Sequence, residues 1–185
     1  MRHIFPLLGM ALFCSQVVAD ELDLGLNSDA VYVQYAHKFG ESSLRMDGGF
    51  LHHTDNGDVI YVGLLLADLA SDGPSKVEAG LGGRLAYTRG DGSKQDGLGL
   101  PLGGFIRFTP QRFNRVSLGA SLYLAPDVLT TGDLKKYQEY AARVSYNLMR
   151  EADIYIGARY AKGEYKKAPD VRYDTGMHVG ITLRF

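Results

Sequence analysis

The segment Tyr173-Asp-Thr-Gly-Met-His-Val-Gly-Ile-Thr-Leu-Arg-Phe185 alternates without exception between an apolar and a polar set. Tyr173, Thr175, Met177, Val179, Ile181, Leu183 and Phe185 fall on one side. Asp174, Gly176, His178, Gly180, Thr182 and Arg184 fall on the other. A period of two residues belongs to a β-strand, whose successive side chains point to opposite faces. An amphipathic helix would repeat its apolar positions every three to four residues instead.

The same split recurs upstream, around 44–51, 76–89, 97–108, 115–125, 139–148 and 153–161, with Gly/Asp/Asn/Pro/Ser clusters between. In the 76–89 segment, for example, Val77, Leu81, Leu85 and Tyr87 oppose Glu78, Gly80, Arg84 and Thr88. The apolar faces of these segments carry no charge. Segments 21–27, 30–39 and 58–67 alternate less cleanly, and Val59 to Ala67 is apolar on both faces. No helical stripe exceeds about two turns. The pattern predicts an all-β fold of about ten antiparallel strands in up-and-down order, with eight as the alternative.

Such a barrel can keep its apolar face inside and sit in water, or turn that face to lipid. Three features favour lipid. The polar faces are rich in Gly, Ser, Ala and Thr and poor in Lys, which suits a crowded interior better than a solvated surface. The 23 glycines in 185 residues, roughly 12 % against about 7 % in average usage, fit strands that curve tightly in a small barrel. Aromatic residues of the apolar face cluster at strand ends, with Phe39, Phe108, Tyr146 and Phe185 at one rim. Phe50, Tyr87, Tyr140, Tyr160 and Tyr173 mark the other. Rings at both rims match the two headgroup levels of a bilayer. Finally, the alternating Val179, Ile181, Leu183 and Phe185 have the form of the signal read by the barrel-assembly machinery of the outer membrane. Turns 40–42, 68–75, 109–114 and 149–151 are assigned to the periplasmic side. Loops 28–29, 54–58, 90–96, 126–136 and 162–172 are assigned to the outside, giving an even strand count.

Residues 1–19 read as a cleaved signal peptide: basic Arg2, the apolar run Ile4 to Phe13, then small residues Val17 and Ala19 before the cut. The run is too short to anchor comfortably. Phe13 stands where lipoprotein processing at Cys14 needs a small residue. Cleavage leaves 20–185 as a single barrel domain without cysteine, which excludes disulfides and thiolate metal sites. The net charge of −1 gives no footprint for nucleic acid.

With the barrel inferred, the chain resembles the YfaZ family of outer-membrane proteins. The similarity rests on Glu21-Leu-Asp-Leu-Gly, His53-Thr-Asp-Asn-Gly-Asp58-Val and, most specifically, Tyr123-Leu-Ala-Pro-Asp127-Val-Leu-Thr-Thr-Gly132. Ile156-Gly-Ala-Arg-Tyr160 and Val179-Gly-Ile-Thr-Leu-Arg-Phe185 complete it. The resemblance implies a location and a fold. It brings no catalytic residue and no cofactor.

Lumen-facing charges are expected at Arg45, Asp47, Glu78, Arg84, Arg107, Arg115, Glu139, Arg143, Asp153, Arg159, Asp174 and Arg184, seven basic and five acidic. Out of bulk water they must pair. With Tyr32, Phe105, Tyr123 and Tyr155 also pointing inward, a ten-stranded lumen should be plugged or narrowly wet, since about eight strands are already filled by side chains. His53 with Asp55 or Asp58, beside His52, has the residue types of a general-base site at the outer rim; a polar hairpin turning at Asn56-Gly57 explains them more simply. His178 is expected as a satisfied interior histidine. No metal site or cofactor is expected. The leading expectation is a non-enzymatic envelope protein, structural or a narrow channel for small solutes. The alternatives are an outer-membrane hydrolase of lipid A or peptides, and an adhesion or receptor barrel acting through its loops. The expected partners are outer-membrane lipid, lipopolysaccharide (near Lys162–Lys167) and the assembly machinery. Sequence does not set the oligomeric state.

Overall fold

The computed structural model describes residues 20–71, 73–91 and 95–185; the expected signal peptide lies outside the described residues. Among those described, twelve strands form. They are β1 (Glu21–Leu26), β2 (Ala30–Lys38), β3 (Leu44–His53), β4 (Gly57–Ser71), β5 (Lys76–Gly90) and β6 (Gln95–Gly99). The rest are β7 (Leu102–Thr109), β8 (Val116–Ala125), β9 (Thr130–Gly132), β10 (Leu134–Met149), β11 (Ala152–Tyr165) and β12 (Val171–Arg184).

Ten of these close into a barrel in the order β1-β2-β3-β4-β5-β7-β8-β10-β11-β12, every pair antiparallel. β12 returns to β1 from Glu21↔Arg184 to Leu26↔Val179. Closure removes the free edges that an open sheet would expose. At the periplasmic rim the seam is tied by Asp20 N–H to Phe185 O at 2.9 Å and Phe185 N–H to Asp20 O at 3.0 Å. Ten strands were expected, and ten form the wall.

Three local expectations change. The 97–108 strand is broken at Leu100-Pro101, because proline has no N–H to give the ladder. Below the break β7 pairs with β8; above it β6 pairs with β5 and β9. The outer segment 126–136 is therefore no free loop. It makes a 3-10 turn, Asp127–Leu129, and then β9, which carries the wall upward beside β6.

Tyr173 is the second change. It belongs inside, fully buried, rather than at the lipid rim. The register slips between Ala161↔Asp174 and Lys162↔Arg172. Tyr173 is the extra residue of this bulge, and a bulge re-aims the side chains around it. The third is the 162–172 loop, which shortens to 166–170 because β11 runs on to Tyr165 and β12 starts at Val171. β4 uses both of its apolar faces, as its sequence implies. Ile60, Val62, Leu64 and Leu66 face lipid, while Val59, Tyr61, Leu65 and Ala67 are buried in the lumen.

The lipid face is otherwise as the alternation implies. Phe39, Phe108, Tyr146 and Phe185 are exposed at the periplasmic end, and Phe50, Tyr87 and Tyr140 at the outer end, with Tyr160 half-buried against Tyr140. Val179 and Ile181 are exposed on the same face and Leu183 is partly so. The core is the filled lumen itself. Gly103 shows how tightly the wall is drawn: a Cβ there would run into the Leu122 carbonyl of the next strand.

Candidate functional site

The lumen is stratified along the barrel axis. At the periplasmic mouth Glu21 is a hub for three arginines, 2.9 Å from Arg107 Nη2, 3.6 Å from Arg45 Nη2 and 3.7 Å from Arg143 Nη2. Glu78 lies 3.5 Å from both Arg45 and Arg107. Asp153 takes Arg184 as an ion pair and accepts a hydrogen bond from Asn147 at 2.7 Å.

The middle layer is drier. Arg84 donates through Nε at 3.0 Å and Nη2 at 2.6 Å to Asp47 Oδ2, which also accepts from Gln34 Nε2 at 3.0 Å. The Arg84 guanidinium lies between two rings, 4.2 Å from Tyr61 and 3.6 Å from Tyr123. Arg159 sits 3.6 Å over Tyr32 and 3.6 Å from Asp174, which accepts from Asn27 at 2.7 Å. Asp23 pairs with Arg143 and accepts the Tyr155 hydroxyl at 2.5 Å. Each buried cation thus meets a carboxylate, a ring or both, the condition for tolerating charge away from water.

Above this, toward the outside, the lumen becomes an apolar and aromatic plug of Leu51, Val59, Leu134, Tyr137, Tyr165 and Tyr173 with their neighbours. Its hydroxyls bond among themselves, as in Tyr32 to Tyr61 at 2.9 Å and Tyr165 to Thr88 at 2.9 Å, and Tyr165 also meets Tyr173. Leu134 is fully buried in a socket made by three glycines: Gly97 and Gly99 of β6 and Gly163 of β11. Any Cβ at Gly97 would collide with the Leu134 side chain.

Between the two polar layers lies a cavity of about 90 Å³ lined by Asp47, Tyr123, Arg159 and His178 among others. At about 30 Å³ of liquid per water it accommodates only a few waters. All four residues also carry a buried polar atom, Asp47 Oδ1, Tyr123 Oη, Arg159 Nε and His178 Nδ1, with no hydrogen-bond partner among the described residues.

Of the twelve charges expected in the lumen, eleven are there. Arg115 is not: it precedes β8, in a periplasmic turn, and is exposed. Outside the strand, the alternation that would have aimed it inward no longer applies. Glu21 and Asp23 were missed and are central. The signal was present, because Glu21, Asp23 and Gly25 alternate with Leu22, Leu24 and Leu26. With them, six arginines (Arg45, Arg84, Arg107, Arg143, Arg159, Arg184) face seven carboxylates (Glu21, Asp23, Asp47, Glu78, Glu139, Asp153, Asp174).

The histidines do not assemble as the hydrolase alternative requires. His52, not His53, pairs with Asp58, at 2.7 Å, on the outward side beside Phe50. His53 Nδ1 accepts the Asp55 backbone N–H at 3.1 Å, and its Nε2 lies 3.0 Å from the Asn56 amide. Both contacts tie the hairpin together. His178 packs edge-on against Tyr155 inside the barrel.

A family model described as YfaZ precursor matches residues 3–185. The outer membrane protein YfaZ of Escherichia coli (strain K12) is 30% identical over 185 residues, covering 97% of this chain and 96% of that protein. Among solved structures, the KdgM porin aligns over 91% of this chain and 99% of its own, with 13% identity and a TM-score of 0.45. The outer membrane channel DcaP of Acinetobacter baumannii aligns over 88% of this chain and 54% of its own, with 14% identity and a TM-score of 0.35. These two likenesses are distant, and the barrel is defined by its own strand pairing.

Proposed function

Because the chain belongs to the YfaZ family and resides in the bacterial outer membrane, we propose that it is a non-enzymatic envelope barrel, sealed toward the outside and open to the periplasm as a narrow polar cup. Passage of a small solute requires the aromatic plug to move. The observation that carries this reading is the gradient of exposure along the lumen. Glu78 and Arg184 near the periplasmic mouth are partly exposed, whereas Tyr123, Tyr137 and Tyr173 toward the outside are only 1%, 2% and 0% exposed.

Recording from refolded protein in planar bilayers tests it. The expected trace is silent; steady conductance at the level of a general porin overturns the sealed reading. The hydrolase alternative loses support from the His53 geometry, and its test is turnover of lipid A or peptide by wild type and His53→Ala. Turnover by the wild type that is lost in the variant would reinstate it.

A further inference from the structure

The seam between β12 and β1 is closed over only part of its height. Pairing ends at Leu26↔Val179, where β1 stops, while β12 continues outward to Val171. Beyond Val179, among the described residues, β12 has a strand on one side only, β11, from Met177↔Ala158 to Val171↔Gly163. Asp20 and Phe185 exchange both backbone bonds across the seam. In an antiparallel ladder every second residue of β12, counted from Phe185, then turns its N–H and C=O toward β1. Met177 and Thr175 are in that set, and β1 has ended before it reaches them.

Thr175 is the register partner of Tyr160, whose ring, with that of Tyr140, marks the outer aromatic rim. The free edge thus stands at and just below headgroup level, where water still reaches its hydrogen-bonding groups; deeper in the hydrocarbon such an edge does not occur. Thr175, Gly176 and Met177 are all exposed. Alternation aims Gly176 at the lumen, and its neighbours on that side, Asp174 and His178, are only 2% and 6% exposed. A Cβ at Gly176 would meet nothing within 4 Å. Its φ of 145° lies where residues with a side chain rarely go. Glycine therefore interrupts the regular strand beside a gap in the wall.

Beyond this glycine, β12 carries part of the plug. Tyr173 is fully buried, and its hydroxyl meets that of Tyr165 on β11. The ladder to β11 slips between Ala161 and Lys162, and Asp174 lies 3.6 Å from Arg159 of the same strand. Across the gap, among the described residues, one hydrogen bond ties this end of β12 to the β1–β2 turn: Asn27 Nδ2 donates to Asp174 Oδ1 at 2.7 Å. The turn holds Asn27 in place, because its Oδ1 accepts the N–H groups of Asp29 at 2.9 Å and Ala30 at 2.5 Å.

We propose that residues 171–175, the outer end of β12, are the gate of the lumen. They swing about Gly176 when the Asn27–Asp174 bond breaks, and draw Tyr173 out of the plug. The path this opens lies between β12 and the β1–β2 turn. Swinging here loosens β12 from β11 alone, along a ladder already interrupted by the slip, since β1 has ended below. This inference rests on the sealed-lumen reading and names the part that moves.

The test is hydrogen exchange, read by mass spectrometry, on the refolded barrel in neutral detergent. In the wild type, exchange over 171–177 should be faster than over Tyr137–Ala142, which has a strand on each side. Asn27→Asp keeps the oxygen that caps the turn but loses the donor to Asp174. It should speed exchange over 171–177 by about tenfold, the loss expected for one hydrogen bond to a charged group, and leave Tyr137–Ala142 unchanged. In planar bilayers the same variant should show brief openings where the wild type is silent. Gel mobility first shows that the variant folds, and the wild-type comparison is a readout independent of it. Equal exchange in the two wild-type segments, or an Asn27→Asp effect that is absent or spread evenly over both, overturns the gate. Faster exchange without openings overturns it too, because the moving part would then not be the barrier. Steady conductance of the wild type overturns the sealed lumen instead, and the exchange comparison does not depend on it.

Discussion

The Arg84 guanidinium stacks 3.6 Å from the Tyr123 ring. Its other face is 4.2 Å from Tyr61 and its edge is bonded twice to Asp47. One side chain thus joins β5 to β3, β4 and β8 across the lumen, at the level where the polar layers give way to the plug. Removing one partner of a buried pair leaves the other charge uncompensated, which costs about 3–5 kcal/mol. Arg84→Ala and Asp47→Ala should each lose stability of that order, measured by urea unfolding of the refolded barrel. Arg84→Lys should fall between, since it keeps the charge but loses the planar fork and much of the stacking.

The plug makes a prediction of opposite sign for transport. Tyr165 and Tyr173 join hydroxyls under the outer mouth, and Tyr165 also bonds Thr88. Replacing both tyrosines by Ala removes two rings from a packed layer without touching the arginine network below. Each truncation of a buried aromatic costs about 3–5 kcal/mol, so the double variant should melt markedly earlier. In planar bilayers it should show discrete small openings where the wild type is silent. A silent double variant, still folded by gel mobility, would place the barrier elsewhere in the lumen.

His52 and Asp58 form a cross-strand pair on a rim where both side chains are partly solvated, 45% and 31% exposed. Exposed ion pairs contribute about 0–1 kcal/mol. His52→Ala should therefore shift the unfolding midpoint only slightly, and His53→Ala should loosen the 54–56 hairpin locally. Hydrogen exchange at the Asp55 amide, which donates to His53, is the measurement that separates these two effects.

The alternation of faces is a local property, which is why the ten wall strands and eleven of the twelve lumen charges were readable along the chain. What sequence could not show is tertiary in origin. Tyr173 turns inward because β11 and β12 differ by one residue near Ala161, and nothing in the Val171–Asp174 stretch marks that slip. β4 blurs its own periodicity because its inner face, Val59 and Tyr61, packs into an apolar plug rather than a polar lumen. β1, with only six residues, presents three inward positions, too few for the Glu21 and Asp23 pattern to stand out. The motif ending at Gly132 was the most specific part of the family resemblance, but its role as extra wall beside β6 depends on the break at Pro101.

That motif leads into Leu134, and the glycine socket around it can be tested as a coupled unit. Leu134→Ala should cost about 2–5 kcal/mol, because the rigid wall cannot collapse onto the space left behind. A Cβ at Gly99 would lie 3.3 Å from Leu134 Cδ2 and 3.6 Å from Ala125 Cβ, so Gly99→Ala alone should destabilise by crowding. In the Leu134→Ala background that crowding contact is gone, and the added methyl partly fills the cavity. The two substitutions should therefore be less damaging together than the sum of their separate effects. Urea unfolding of the four proteins in this double-mutant cycle gives the coupling directly. Strict additivity would show that Leu134 does not fill the glycine socket.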